Sequence, residues 1–374
     1  LRRFAPAAAS FAALIAAIAG GGCDARRRGP TPLAGFSAPF VFGRFEVPAD
    51  NPLTEESVEL GRRLFYDRRL SGNDTVSCST CHQQRLAFTD GRRTGIGVSG
   101  KPLAFNSMSL ANLMWGAPHF FWNGRAATLE AQSLVPIQHP DEMGEDLQRL
   151  VAELRADDSY RALFETAYGE ISAAAISRAL ASFERTLISS NSRYDQFLRG
   201  EITLEAQEEW GRKLFMAHPD VKVSLRGGNC IDCHSQFLTS GFSTRLDGFS
   251  NNGLDDEEHL QPGLQSVTGD PAHRGRFKVP TLRNIALTAP YMHDGRFATL
   301  EEVLDHYNGG IRKSSTLSPL IAEADNRGPD SRQGTSLHLT ELEKGAIIAF
   351  LHTLTDSYFV TEERFSDPFV RKRK

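Results

Sequence analysis

The sequence predicts a mainly α-helical chain of two tandem domains with long loops. Three observations predict it: apolar residues recur at helical spacing, no segment sustains the alternation of a strand, and one ordered set of short motifs occurs twice. Thr54 to Phe65 and Leu204 to Phe215 read as helices, each leading into a copy of the repeated set. Leu147, Leu150, Val151 and Leu154 fall at i, i+3, i+4 and i+7, and Ile176, Leu180, Phe183 and Leu187 follow near-helical spacing. Thr340-Glu341-Leu342-Glu343 is a capping box, in which hydroxyl and carboxylate reciprocally satisfy free backbone N–H groups, ahead of a last helix through Ile347, Phe350, Leu351 and Leu354. Gly241 to Gly275 and Lys313 to Ser336 read as loops.

Gly61-Arg62-Arg63-Leu64-Phe65 opens the first copy of the set and Gly211-Arg212-Lys213-Leu214-Phe215 the second. Each is followed by Cys-x-x-Cys-His, at Cys78-Ser79-Thr80-Cys81-His82 and Cys230-Ile231-Asp232-Cys233-His234. Two residues between the cysteines span the edge of one porphyrin, and the next side chain falls under the iron, so this is the attachment pattern of a c-type haem. Paired CxxC motifs also build zinc ribbons, but these lie 152 residues apart and each is followed by histidine. A thioredoxin-like pair needs a strand-helix context and would not occur twice with that histidine. Cys78, Cys81, Cys230 and Cys233 are therefore assigned to two covalent haem c groups, with His82 and His234 as proximal iron ligands. Further on, Ser109-Leu110-Ala111-Asn112 corresponds to Thr281-Leu282-Arg283-Asn284, and Trp122 to Glu130 corresponds to His293 to Glu301.

The fifth cysteine, Cys23, follows a segment that reads as an export signal: basic Arg2 and Arg3, apolar Phe11 to Ala19, then three glycines. Residues 1–22 are expected to be a lipoprotein-type signal peptide and Cys23 its acylation site. Plain secretion stays open, because the preferred leucine three places upstream is missing. Asp24 resembles an inner-membrane retention signal, and covalent haem is attached outside the cytoplasm, so the expected place is the periplasm, with a lipid anchor to the inner membrane. Residues 23–50 are expected to form a tether, 51–198 and 199–360 the two haem domains, and 361–374 a tail. A net charge of −4 leaves no basic footprint for nucleic acid. The 24 phenylalanines suit haem pockets, though an ordinary core also uses them.

From about Leu53 to Asp356 the chain resembles the bacterial dihaem cytochrome c peroxidase and MauG family. The resemblance rests on Glu59 to Phe65, both haem motifs, Phe121-Trp122-Asn123-Gly124-Arg125, Pro280 to Asn284 and Thr288 to Gly295. Within the family the chain looks MauG-like, and its Arg63 to Gly72 block and Leu354-Thr355-Asp356 are similar to an MbnH-like, methanobactin-associated subgroup. The resemblance implies two class I cytochrome c-like domains, the N-terminal haem meeting peroxide and the C-terminal one transferring or storing electrons.

Family alignment also implies ligands and roles. Where many family peroxidases close the N-terminal haem with a loop histidine, Val98 stands here and cannot bind iron, so that haem is expected to be open. Tyr307 takes the place of the methionine that is sixth ligand to the C-terminal haem; a phenolate stabilises oxidised iron, whereas a thioether raises the potential. Its repeat equivalent is Pro136, which has no ligating side chain. Met292, His293 and His306 are the rivals for that sixth position. Glu142 matches the distal acid that moves a proton between the peroxide oxygens, in a pocket expected to desolvate it, and Gln132 matches its polar neighbour. Trp122 matches the aromatic between the haems and is read as a relay. Asn106, with the carbonyls of Thr288 and Pro290, matches an interdomain Ca²⁺ site of oxygen ligands.

The resulting expectation is a periplasmic enzyme that uses H₂O₂ to reach a high-valent state over both haems and then oxidises an aromatic residue, tryptophan, of a partner protein. The alternatives are a peroxidase reducing H₂O₂ to water with electrons from a small cytochrome or cupredoxin, and a dihaem electron carrier with no chemistry of its own.

Overall fold

The computed structural model describes residues 30–39, 42–115, 119–237, 248–327 and 336–370. The expected signal peptide and Cys23 lie outside the described residues. In the first half, α1 (Glu55–Tyr66) leads to the single turn α2 (Cys78–Cys81), followed by α3 (Leu129–Gln138), α4 (Leu147–Ala156), α5 (Asp158–Ala167) and α6 (Ala173–Arg185). Then α7 (Arg193–Leu198) connects to α8 (Ala206–Met216), α9 (Gln265–Thr268), α10 (Leu300–Asp305), α11 (Pro319–Ala322) and α12 (Glu341–His352). Two-residue strands β1 (Phe249–Ser250) and β2 (Phe277–Lys278) pair antiparallel. The two stretches expected to be plain loops therefore hold β1 and α9, and α11. Single helical turns carry too little periodic pattern to show in sequence.

The duplication is visible in how the main helices meet. A Cβ on Gly61 of α1 would lie 1.9 Å from the Ala179 carbonyl oxygen of α6, and one on Gly211 of α8 would lie 1.8 Å from that of Ala346 on α12. Each glycine lets two helix backbones touch, which outweighs the roughly 1 kcal/mol that glycine costs inside a helix. Each pair supports one hydrophobic cluster. The first gathers Leu64, Phe65, Phe88, Phe164 and Phe183; the second gathers Leu214, Phe215, Phe237, Ile347 and Phe350. Thr54 caps α1 and Thr340 caps α12 with the expected box on Glu343. Helix α6 ends at Arg185, so Leu187 of the predicted periodic set falls just beyond it, still buried.

Between the clusters, the repeat-related Asn112 and Asn284 converge on Ser189. The Asn112 amide brackets Ser189, donating to its carbonyl at 3.0 Å and accepting from its N–H at 2.9 Å. Asn284 donates to the Ser189 hydroxyl at 2.9 Å and accepts from the Asp356 N–H at 2.8 Å. Nearby, the fully buried Arg283 pairs with the fully buried Asp195.

Both expected free ends are docked where they are described. Thr31 and Leu33 exchange backbone bonds with Leu53 and Glu55. Phe42 is buried 5.1 Å from the Trp115 ring, with the Arg283 guanidinium 4.6 Å from its own ring. The tether is thus a strap over 30–39 and 42–50. In the tail Phe365 is buried in the first cluster, and Tyr66 donates to its carbonyl at 2.7 Å. Composition reads such segments as mobile; long-range pairing decides otherwise. Among the described residues no helix is long and apolar enough to cross a membrane.

Candidate active site

Each Cys-x-x-Cys-His motif folds as one tight turn that brings its histidine back over the first cysteine. His82 donates its N–H to the Cys78 carbonyl at 2.9 Å, and His234 its own to Cys230 at 3.0 Å. The Nδ1 of His82 lies 2.8 Å from the Phe88 carbonyl and that of His234 3.2 Å from the Pro280 carbonyl. A carbonyl only accepts, so Nδ1 carries the proton and Nε2 keeps its lone pair, the arrangement of a metal-ligating imidazole. Burial pushes both rings down, His234 to about 4, so both are neutral at pH 7. Burial pushes the thiols of all four motif cysteines up, Cys81 and Cys233 to about 11 and Cys230 to about 12.

The second motif opens on a deep, mostly apolar cavity lined by Leu300, Val303, Leu304, Ile347 and Leu351 beside Cys230, Cys233 and His234. Two thiols, an imidazole with an unspent Nε2 and apolar walls fit a covalently held haem. The first motif has the same donors. Gln132 of α3 buries an Oε1 that has no partner among the described residues. Glu142 lies near enough to Cys81 to raise the thiol's pKa. Sequence reading did not foresee its partner: Arg125, stacked 3.6 Å over the Phe121 ring, places Nη2 3.4 Å from Glu142 Oε1. The Glu142 carboxylate thus has an ion-pair partner besides the desolvating pocket and polar neighbour that were expected. Val98 donates its backbone N–H to the Glu142 carbonyl, and Pro136 sits within α3.

Tyr307 stands on a π-helical turn, His306–Gly310, that continues α10. Its phenol enters the second cavity, where Asn252 Nδ2 donates to the hydroxyl at 3.2 Å and approaches Met292 Sδ at 3.4 Å. Burial pushes the phenol up to about 12. Of its rivals, Met292 and His293 line the same cavity. His293 stacks 3.6 Å from Phe277, and its buried Nε2 has no partner among the described residues. His306 turns away and bonds the Asn252 carbonyl through Nε2 at 3.0 Å.

The segment Asn106 to Ser109 joins the two sites. All four residues line the second cavity, while the Met108 backbone supports His82. Trp122, 7% exposed, also lines that cavity and donates Nε1–H to the Asn106 carbonyl at 2.8 Å. Thr288 and Pro290 share the cavity wall with Asn106, whose side-chain amide donates to the Arg92 carbonyl at 2.9 Å. No group of three or more His, Cys, Asp or Glu side chains able to hold a metal ion occurs among the described residues.

Lys278 is a cavity residue that sequence reading missed. It is buried, its ammonium donates to the His119 carbonyl at 2.7 Å, and burial pushes it down to about 8. Its place in Phe277-Lys278-Val279-Pro280, running into the second copy of the repeat, was the available signal.

The fold and site define a two-domain c-type haem protein. Residues 55–203 match the family model described as di-haem cytochrome c peroxidase. The methylamine utilization protein MauG of Methylorubrum extorquens is 36% identical over 82% of this chain and 80% of that protein. The cytochrome c551 peroxidase of Nitrosomonas europaea is 34% identical over 69% of this chain and 75% of that protein. A crystal structure of a MauG-like protein associated with microbial copper homeostasis superposes with a TM-score of 0.78 at 39% identity, covering 90% of this chain and 99% of that one. The chain belongs to the di-haem cytochrome c peroxidase and MauG family. It is a haem-dependent peroxidase or oxidoreductase of two cytochrome c domains, and the reading as a carrier without chemistry is set aside.

Proposed function

We propose that this protein uses H₂O₂ to oxidise an aromatic residue, tryptophan, on a partner protein in the periplasm, held there by a lipid anchor at Cys23. Residues 51–198 form the peroxidatic domain and 199–360 the electron-transfer domain. Tyr307 carries the reading: a phenol beside His234, with its oxygen held by Asn252, supports a second site that stores an oxidising equivalent. When bound, the haems supply the electrons that cleave peroxide and hold the oxidising power until the partner refills them.

The chain's own residues handle protons and positions. Glu142 takes the proton from one peroxide oxygen and returns it to the other, giving water as the bond breaks. Gln132, whose buried amide oxygen has no partner among the described residues, would serve as its polar neighbour. Trp122 relays electrons between the sites, and the oxygens of Asn106, Thr288 and Pro290 hold Ca²⁺ at their junction. Overall, one H₂O₂ and two protons become two waters as the partner loses two electrons. A macromolecular substrate cannot enter a haem site, so it is oxidised at a distance.

Met292 favours a second reading, a peroxidase drawing electrons from a small cytochrome or cupredoxin, because its thioether lines the same cavity as Tyr307. The test measures peroxide turnover with a reduced small cytochrome beside tryptophan oxidation on a candidate partner, read by mass. Slow turnover with partner oxidation supports the proposal; fast turnover without it supports the peroxidase.

A further inference from the structure

The turn that carries Glu142 is gripped by backbone on both flanks, and on each flank the touching residue is a glycine. On one side Val98 donates its N–H to the Glu142 carbonyl at 2.9 Å. A Cβ on the neighbouring Gly97 would lie 2.0 Å from the Asp141 carbonyl oxygen and 2.4 Å from that of Glu142. On the other side Gly72 donates its N–H to the Met143 carbonyl at 2.8 Å, and a Cβ there would lie 2.4 Å from the Gly144 carbonyl oxygen. Neither glycine is in the left-handed region. The neighbouring chain, not backbone conformation, excludes a side chain at both.

Both gripping and gripped segments are closed on themselves. Ile96 bridges Pro102, Leu103 donates to the Gly95 carbonyl at 2.8 Å, and Gly100 donates to the Gly97 carbonyl at 3.0 Å. The Glu142 turn closes through Glu142 N–H to the His139 carbonyl at 3.0 Å and Glu145 N–H to the Ile137 carbonyl at 2.8 Å. Two such turns pressed backbone to backbone have few ways to shift independently, because main-chain carbonyls cannot rotate aside as side chains do.

We propose that Gly97 and Gly72 are positioning residues that fix Glu142 over the first haem site, and that the 95–103 turn serves to anchor this acid. The inference rests on Glu142 being the distal acid. A methyl group at Gly97 must displace the Asp141–Glu142 backbone, and a displacement on the order of 1 Å in a catalytic group costs roughly 100-fold in rate.

The test uses the holoprotein with Gly97→Ala, Glu142→Gln, the double variant, and Gly100→Asn as control. Gly100 has φ +72° and open space around it, a conformation asparagine tolerates. Haem content, peroxide cleavage by stopped flow, and the pH dependence of fluoride binding to the oxidised protein are measured. Gly97→Ala is expected to keep both haems, to slow cleavage roughly 100-fold and to change the pH dependence of fluoride binding. Added to Glu142→Gln it should cost nothing more, and Gly100→Asn should match wild type. Wild-type cleavage in Gly97→Ala, or a loss that multiplies with that of Glu142→Gln, would overturn the positioning role. Wild-type cleavage in Glu142→Gln would instead overturn the assignment of the acid itself. If Gly97→Ala fails to mature, Gly72→Ala presses the turn from the other flank and is judged by the same outcomes.

Discussion

Trp122 donates its indole N–H to the backbone carbonyl of Asn106 at 2.8 Å. Asn106 in turn gives its own N–H to the His293 carbonyl at 2.8 Å, and all three residues line the second cavity. An aromatic fixed in this way needs no rearrangement to pass an electron. Trp122→Phe keeps the ring and loses both the N–H and the low oxidation potential of indole. It should leave peroxide cleavage near normal and sharply slow electron transfer between the haems and oxidation of the partner, as followed by stopped-flow absorbance.

Tyr307 and Met292 share the amide of Asn252, and both line the cavity beside His234. Tyr307→Phe should abolish the low-spin signal of the oxidised protein, and Met292→Leu should leave it in place. Electron paramagnetic resonance of the two variants decides between them; the opposite pattern would make Met292 the ligand and favour the plain peroxidase.

The contact between α8 and α12 predicts a contrast between two glycines. Gly211→Ala places a Cβ 1.8 Å from the Ala346 carbonyl oxygen and should cost about 3 kcal/mol or more of stability, weakening retention of the second haem. Gly345 lies within α12, and its nearest neighbour for a Cβ is a side-chain nitrogen of Gln207 at 3.8 Å. Gly345→Ala should stabilise by up to about 1 kcal/mol through helix propensity. Thermal unfolding of both variants checks the pair.

Arg226 and the capping contacts of Thr340 hold the Glu343 carboxyl down to about 2, below its ordinary 4.5. Its folded pKa is depressed, so its stabilisation is fully present above about pH 4.5 and is lost as pH falls toward 2. Glu343→Gln should cost about 1–3 kcal/mol at pH 7, and the difference from wild type should shrink across that acid window. Denaturant unfolding at several pH values measures it.

Much of this was legible in sequence because it is local. The Cys-x-x-Cys-His turns, the Thr340–Glu343 box and the repeated Gly61 and Gly211 each need only a few neighbouring residues. Phe42 under Arg283, Thr31 on Glu55 and Arg125 on Glu142 were not legible, since each joins segments that sequence spacing does not relate. Nor was Asn252, one of two adjacent asparagines in a glycine-rich stretch, or the approach of Gly97 to Asp141, which only the folded backbone creates.

The proposed function requires that the first haem site is open in the oxidised protein and acts together with the second. Mixing fully oxidised protein with one equivalent of H₂O₂ in a stopped-flow spectrophotometer tests it most directly. The spectra of both haems should change immediately, without prior reduction. No change until the protein has been half reduced, followed by rapid turnover with a reduced small cytochrome, would contradict it.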